Sequence, residues 1–117
     1  MLVFLNHRDA PSVGDEPEVV VLSWRVLQAA NEDRHLLAIL ATGSLRMTSA
    51  LASFDAARCT LTTQSGRRYK LCGPPEAGQV QLGLLHVYAL RSGLAEAVDV
   101  SDELWAMTGH GGTELPA

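Results

Sequence analysis

Four histidines and two cysteines are the residues best suited to metal binding or nucleophilic chemistry in this chain: His7, His35, His86, His110, Cys59 and Cys72. Zinc sites use such ligands at short spacings, as C-x-x-C pairs or as histidines one helical turn apart. Neither spacing occurs, and the cysteines lie thirteen residues apart. No metal and no cofactor is therefore expected. A catalytic cysteine needs a depressed pKa and a base within reach. The sequence supplies neither, so Cys59 and Cys72 read as structural thiols and no catalytic residue is assigned. His86 stands in an apolar run and reads as a core or interface histidine. A pocket near His86, joined by Cys72, is the arrangement that an enzyme or small-ligand binder would need. No glycine pattern matches a phosphate loop or a dinucleotide fingerprint.

The sharpest local feature is Cys59-Thr-Leu-Thr-Thr-Gln-Ser-Gly-Arg-Arg-Tyr-Lys-Leu-Cys72. Its β-branched and aromatic residues around Ser65-Gly66 predict a hairpin. A loop centred on Gly66 pairs Gln64 with Arg68, Thr63 with Tyr69 and Leu61 with Leu71. That register puts Cys59, Leu61, Thr63, Tyr69 and Leu71 on one face. Thr60, Thr62, Gln64, Arg68, Lys70 and Cys72 take the other. Shifting the pairing by one residue would mix the faces. The cysteines fall on opposite faces, so no disulfide within the hairpin is expected. Arg68 and Lys70 on the polar face, with Arg67 at the tip, are the candidate partner-binding residues.

This element is the centre of an uneven charge pattern. Residues 1–45 carry three basic and six acidic side chains, residues 46–72 five and one, and residues 73–117 one and six. The whole chain has a formal charge of -4. A mildly acidic balance argues against general affinity for nucleic acid, whose binders present broad positive surfaces. Tyr69, on the opposite face from Arg68, is also badly placed to stack on a base.

At 117 residues the chain is the size of one domain and can build a core without disulfide staples. Apolar residues make up 47% and charged residues 19%, a globular composition. Two cysteines suit a reducing compartment. The run Met1–Asn6 lacks a preceding basic residue and is too short to cross a membrane. A cytoplasmic protein is expected, with no membrane association. Abundant leucine and alanine with little lysine suit a bacterial origin.

Around the hairpin, residues 2–6 could form a short strand, and residues 9–18 read as a flexible, acidic, proline-containing loop. Val19–Ala30 is valine-rich and ambiguous between strand and helix. We read it as a strand paired with His35–Thr42 across a polar turn at Asn31–Arg34; the rival is a helix over 18–33. Gly73-Pro-Pro75 ends the central hairpin, because proline offers no ladder donor. The best helix spans about 76–92, with Glu76 in its first turn, Arg91 near its end and Gly93 beyond. A short strand at 97–100 and a turn or short helix from Ser101 follow, with Ser101 placed to cap it. Residues 109–117 read as a flexible tail. The expected fold is α+β, a small antiparallel sheet built on the 59–72 hairpin with the 76–92 helix packed on it. The alternative is a mostly β, barrel-like domain.

Without a catalytic motif, the expected function is that of a small bacterial interaction or regulatory protein working through protein–protein contacts. The apolar segment 80–90 is the expected homodimer surface. A nucleic-acid-associated module using the basic hairpin is the alternative from a different class.

Overall fold

The structure is a computed structural model and describes residues 11–109. The expected strand at 2–6 and nearly all of the expected tail lie outside the described residues, as do His7 and His110. Ten elements follow in chain order among the described residues: β1 (Glu18–Val21), β2 (Ser23–Gln28), β3 (Arg34–Ile39), β4 (Leu45–Met47), β5 (Leu51–Asp55), β6 (Thr60–Thr63), β7 (Arg68–Leu71), α1 (Gln79–Arg91), β8 (Val98–Asp99) and α2 (Ser101–Ala106).

The strands form two open sheets, ordered β1-β7-β6-β5 and β4-β3-β2-β8. All the pairs are antiparallel except β1–β7. The architecture is sheet-rich with two short helices, in keeping with α+β; neither sheet closes into a barrel. It departs from the single antiparallel sheet expected, because the chain bends at Leu22 and sends β1 and β2 into different sheets.

Val26-Leu27 and Leu36-Leu37 explain why the 19–30 run looked ambiguous. Trp24, Val26, Leu36 and Ala38 pack towards Leu61, Tyr69 and Leu71 of the other sheet, with Val100 and Leu104 closing that core. From the opposite face of the same two strands, Leu27 and Leu37 pack with Leu45 against Leu85, Tyr88 and Ala89 of α1. The β2–β3 ladder is thus covered on both faces, and strands covered on both faces lose polar alternation. The hairpin reading holds, with Gln28 opposite Arg34. The helix over 18–33 does not form.

The central hairpin also forms, but Leu61 faces Tyr69 and Thr60 faces Lys70. Its register is two residues from the expected one. The turn decides this: Thr63 and Arg67 close a loop of Gln64, Ser65 and Gly66, with Thr63 N–H donating to Arg67 O (2.9 Å) and Gly66 N–H to Thr63 O (2.9 Å). Gly66 takes φ +98°, the left-handed region that a three-residue loop needs at its last position. A shift of two preserves the faces, since side chains alternate with period two. Leu61, Thr63, Tyr69 and Leu71 are buried as expected.

The main helix starts at Gln79, later than expected. Glu76 is held outside it, its carboxylate accepting from Ser23 Oγ (2.5 Å) and from Gly78 N–H (2.9 Å). At the other end Gly93 sits at φ +88°. The helix packs on β2, β3 and β4, not on the sheet containing the central hairpin.

Ser101 does not cap α2. Its Oγ accepts from the buried Val26 N–H (2.8 Å), while Asp99 Oδ1 takes the Ser101 N–H (2.9 Å). A local turn residue thereby ties α2 to the middle of β2. Trp24, fully buried, donates from Nε1 to Gly73 O (2.9 Å) and packs beside Trp105, with ring centroids 6.2 Å apart.

Candidate functional site

The three basic residues of the hairpin separate in the fold. Arg68 and Lys70 stand exposed on the outer face of the β1-β7-β6-β5 sheet. Ladder register places Glu18, Arg68 and Thr62 in one cross-strand row and Val20, Lys70, Thr60 and Asp55 in the next. Arg68 Nε lies 3.8 Å from Glu18 Oε2, both side chains about half exposed. Such a pair is worth little in solvent. Among the described residues Lys70 forms no ion pair with an acid. The face is therefore cationic at its centre, with one acid in each row, Glu18 at the β1 edge and Asp55 at the β5 edge.

Arg67 is not on this face, and its expected place at an exposed tip is corrected. It is buried beneath the 11–17 loop. Its Nε donates to Glu16 O (2.7 Å) and its Nη2 to Pro11 O. The misplacement follows from the turn. With Gly66 last in the loop, Arg67 becomes the first paired residue of the returning strand and shares the inward parity of Tyr69 and Leu71.

Arg46 joins it. Its Nη1 lies 2.8 Å from Glu16 Oε1 and 3.5 Å from the Tyr69 hydroxyl, and Arg67 Nε is 3.9 Å from the same Glu16 oxygen. Burial disfavours the Arg46 charge, but the hydrogen bonds of Tyr69 and Glu16 outweigh it and hold the guanidinium above its ordinary pKa. Two of the five cations in the basic centre are thus internal and share one carboxylate. Nothing local in the sequence marks Glu16 as their partner: it lies 30 residues from Arg46 and 51 from Arg67. A second unforeseen cluster joins Arg25 to Glu76 O (2.7 Å) and to Asp99 (3.4 Å).

Arg58 is exposed and 3.9 Å from Asp55. With Lys70 it borders an open cleft that also reaches Cys59, Cys72 and Trp105. Both thiols are free, Cys59 half-buried and Cys72 exposed. His86 is exposed on α1 and lines a different cavity of about 220 Å³, with Leu27, Leu90 and Asp99. The pocket imagined around His86 and Cys72 therefore divides into two separate places. His35 is half-buried and its Nδ1 donates to Thr48 O (2.9 Å). Among the described residues no three His, Cys, Asp or Glu side chains cluster as metal ligands. No described helix is long and apolar enough to cross a membrane.

The segment offered as a dimer surface is half committed to the core. Helix α1 buries Leu85, Tyr88 and Ala89. Val80 (72%), Val87 (41%) and Leu90 (58%) remain exposed. These recur at helical spacing, and the space where a Gly83 side chain would stand is open. An apolar stripe therefore flanks the buried one.

No protein-family model, curated protein or solved structure matches this chain.

Proposed function

We propose that this chain is a small bacterial, cytoplasmic interaction or regulatory protein that acts through protein–protein contacts without catalysis. The observation that carries the reading is the exposed stripe Val80, Val87 and Leu90 on α1, beside an already filled core. Exposed apolar surface of this kind marks contact sites. The stripe is the homodimer surface, and Gly83 lets a second helix approach closely.

The three side chains alone offer roughly 300 Å², against about 800 Å² per partner in a standard interface. The dimer is consequently weak unless neighbouring residues join it. Sedimentation of the full chain from micromolar to millimolar concentration should show a concentration-dependent dimer. Val87→Asp with Leu90→Glu should abolish it. A wild-type chain that stays monomeric throughout sinks the homodimer.

The second contact surface is the outer sheet face centred on Arg68 and Lys70, suited to an acidic protein surface. Affinity capture from native extract should lose partners with Arg68→Glu and Lys70→Glu. Arg67 is left intact in that experiment, because it is buried and its reversal would test folding. The nucleic-acid alternative gains less support, since Arg46 and Arg67 turn inward and Glu18 and Asp55 frame the remaining cations.

A further inference from the structure

We propose that the cavity between β1 and the β3–β4 turn binds a small organic monocarboxylate with an apolar body, held at its charged end by Arg46. The cavity measures about 490 Å³, within the range of small-molecule sites. Val19 and Val20 form one wall, Leu40 and Ala41 the other, and Arg46 stands at the charged end with its partner Glu16, beside Ser44 and Thr42.

Arg46 is buried, with 9% of its surface exposed. All its side-chain bonds run through Nη1, to Glu16 and to Tyr69. Its Nε and Nη2 donate to no described residue. Yet no fully buried side-chain nitrogen or oxygen among the described residues lacks a partner. The Nε and Nη2 atoms are therefore reachable from outside, and Arg46 meets the outside at the cavity it lines. Those two nitrogens form one edge of the planar guanidinium, the geometry that takes a carboxylate by two parallel hydrogen bonds.

Charge fixes the valence of the ligand. Arg46 and Arg67 together with Glu16 carry a net single positive charge, so one monoanion completes the cluster. Glu16 is a positioning residue: it occupies Nη1 and leaves the opposite edge open.

The apolar body is specified by the walls. A second cavity of about 450 Å³ shares Val20, Leu40 and Ala41 and continues past Leu22 and Ile39. Both cavities are lined by those three side chains, and the second also by Ser23, Glu76 and Gln81, so the apolar track away from the guanidinium is limited to Val20, Leu40, Ala41, Leu22 and Ile39. A bare oxyanion would leave that track unused.

Octanoate is the probe, titrated into the full chain by calorimetry and by amide chemical shifts. For about ten non-hydrogen atoms, saturation near the millimolar range is expected. Ala41 is exposed in the turn, so Ala41→Trp fills the cavity without entering the core. It should weaken octanoate at least tenfold, while Val87→Asp on α1 leaves binding unchanged. Octanol should bind at least tenfold more weakly than octanoate, and inorganic phosphate likewise. Saturable octanoate binding with those three losses supports the proposal. Absence of saturation at about 20 mM overturns it, as does equal binding by Ala41→Trp, by octanol or by phosphate. The contact surfaces proposed above stand apart from this site: Arg68→Glu with Lys70→Glu should retain octanoate, so either idea can fail alone.

Discussion

Glu16→Gln removes one negative charge from between two inward arginines while keeping the side chain's length and a hydrogen-bond acceptor. In the wild type one carboxylate oxygen lies 2.8 Å from Arg46 and 3.9 Å from Arg67. Those arginine side chains are only 11% and 7% exposed, against 32% for Glu16. A charge pair at about 4 Å gains roughly 4 kcal/mol at an effective dielectric of 20. Partial exposure of the carboxylate and the cost of desolvating it cut this by about half. The expected loss is about 2 kcal/mol, mostly from leaving two guanidinium charges beside each other without an anion. For a domain of this size that lowers Tm by about 8 °C. Urea unfolding followed by Trp24 and Trp105 fluorescence, with a thermal melt, measures both. Adding Arg46→Met to Glu16→Gln should recover part of the loss, since the variants share one partner network. The difference between wild type and Glu16→Gln should survive 0.5 M salt, which screens exposed pairs far more than internal ones. A loss under about 0.5 kcal/mol, or one that vanishes in salt, would show that the cluster is solvated and that the 11–17 loop does not seal it.

Further perturbations probe other joints of the fold. Ser101→Ala leaves the buried Val26 N–H without its acceptor and should cost about 1–2 kcal/mol in urea unfolding; an unchanged midpoint would mean that Ser101 does not tie α2 to β2. Gly66→Ala forces a side chain into φ +98° and should cost about 1 kcal/mol or more, although no atom blocks its Cβ; a neutral result would place the turn in another conformation. Hydrogen bonds from Ser23 and from the Gly78 amide hold the Glu76 carboxyl below its ordinary 4.5. Its stabilising effect is thus complete above that value and is lost as pH falls through the lowered folded pKa. The stability gap between wild type and Glu76→Gln should accordingly be constant near neutrality and close on acidification below pH 4.5. A gap that widens with acid would reverse the assigned direction.

The features legible in the sequence were those fixed by parity. Alternation alone places Leu61, Thr63, Tyr69 and Leu71 on the core face, and a two-residue change in register leaves them there because alternation has period two. Gly66 was legible as a residue needing positive φ, but its place within the three-residue loop was not, and that one step moved Arg67 from the expected tip to the interior. The Arg46–Glu16–Arg67 cluster was invisible for a different reason. Glu16 precedes β1 and meets Arg67 through the parallel β1–β7 pairing, while Arg46 comes from β4 of the other sheet, so no short-range pattern marks the three.

The same logic separates the two kinds of basic residue in the chain's centre. A cluster of cations in sequence says nothing about where the charges point; their parity and their acidic partners decide that. Arg68 and Lys70 have outward parity, and their nearest acids lie along solvent-exposed rows. Arg46 and Arg67 are turned inward and must be neutralised where they stand, which Glu16 does for only one of the two charges. The outer pair can be reversed in sign at little cost to stability and tests recognition of a macromolecule. The inner pair cannot; its remaining positive charge lies at the cavity that Arg46 lines, where the proposed ligand is a small anion. A chain with one basic centre in its sequence therefore carries two differently placed pairs of basic residues, one buried and one exposed, and mutating its arginines as a single patch would confound them.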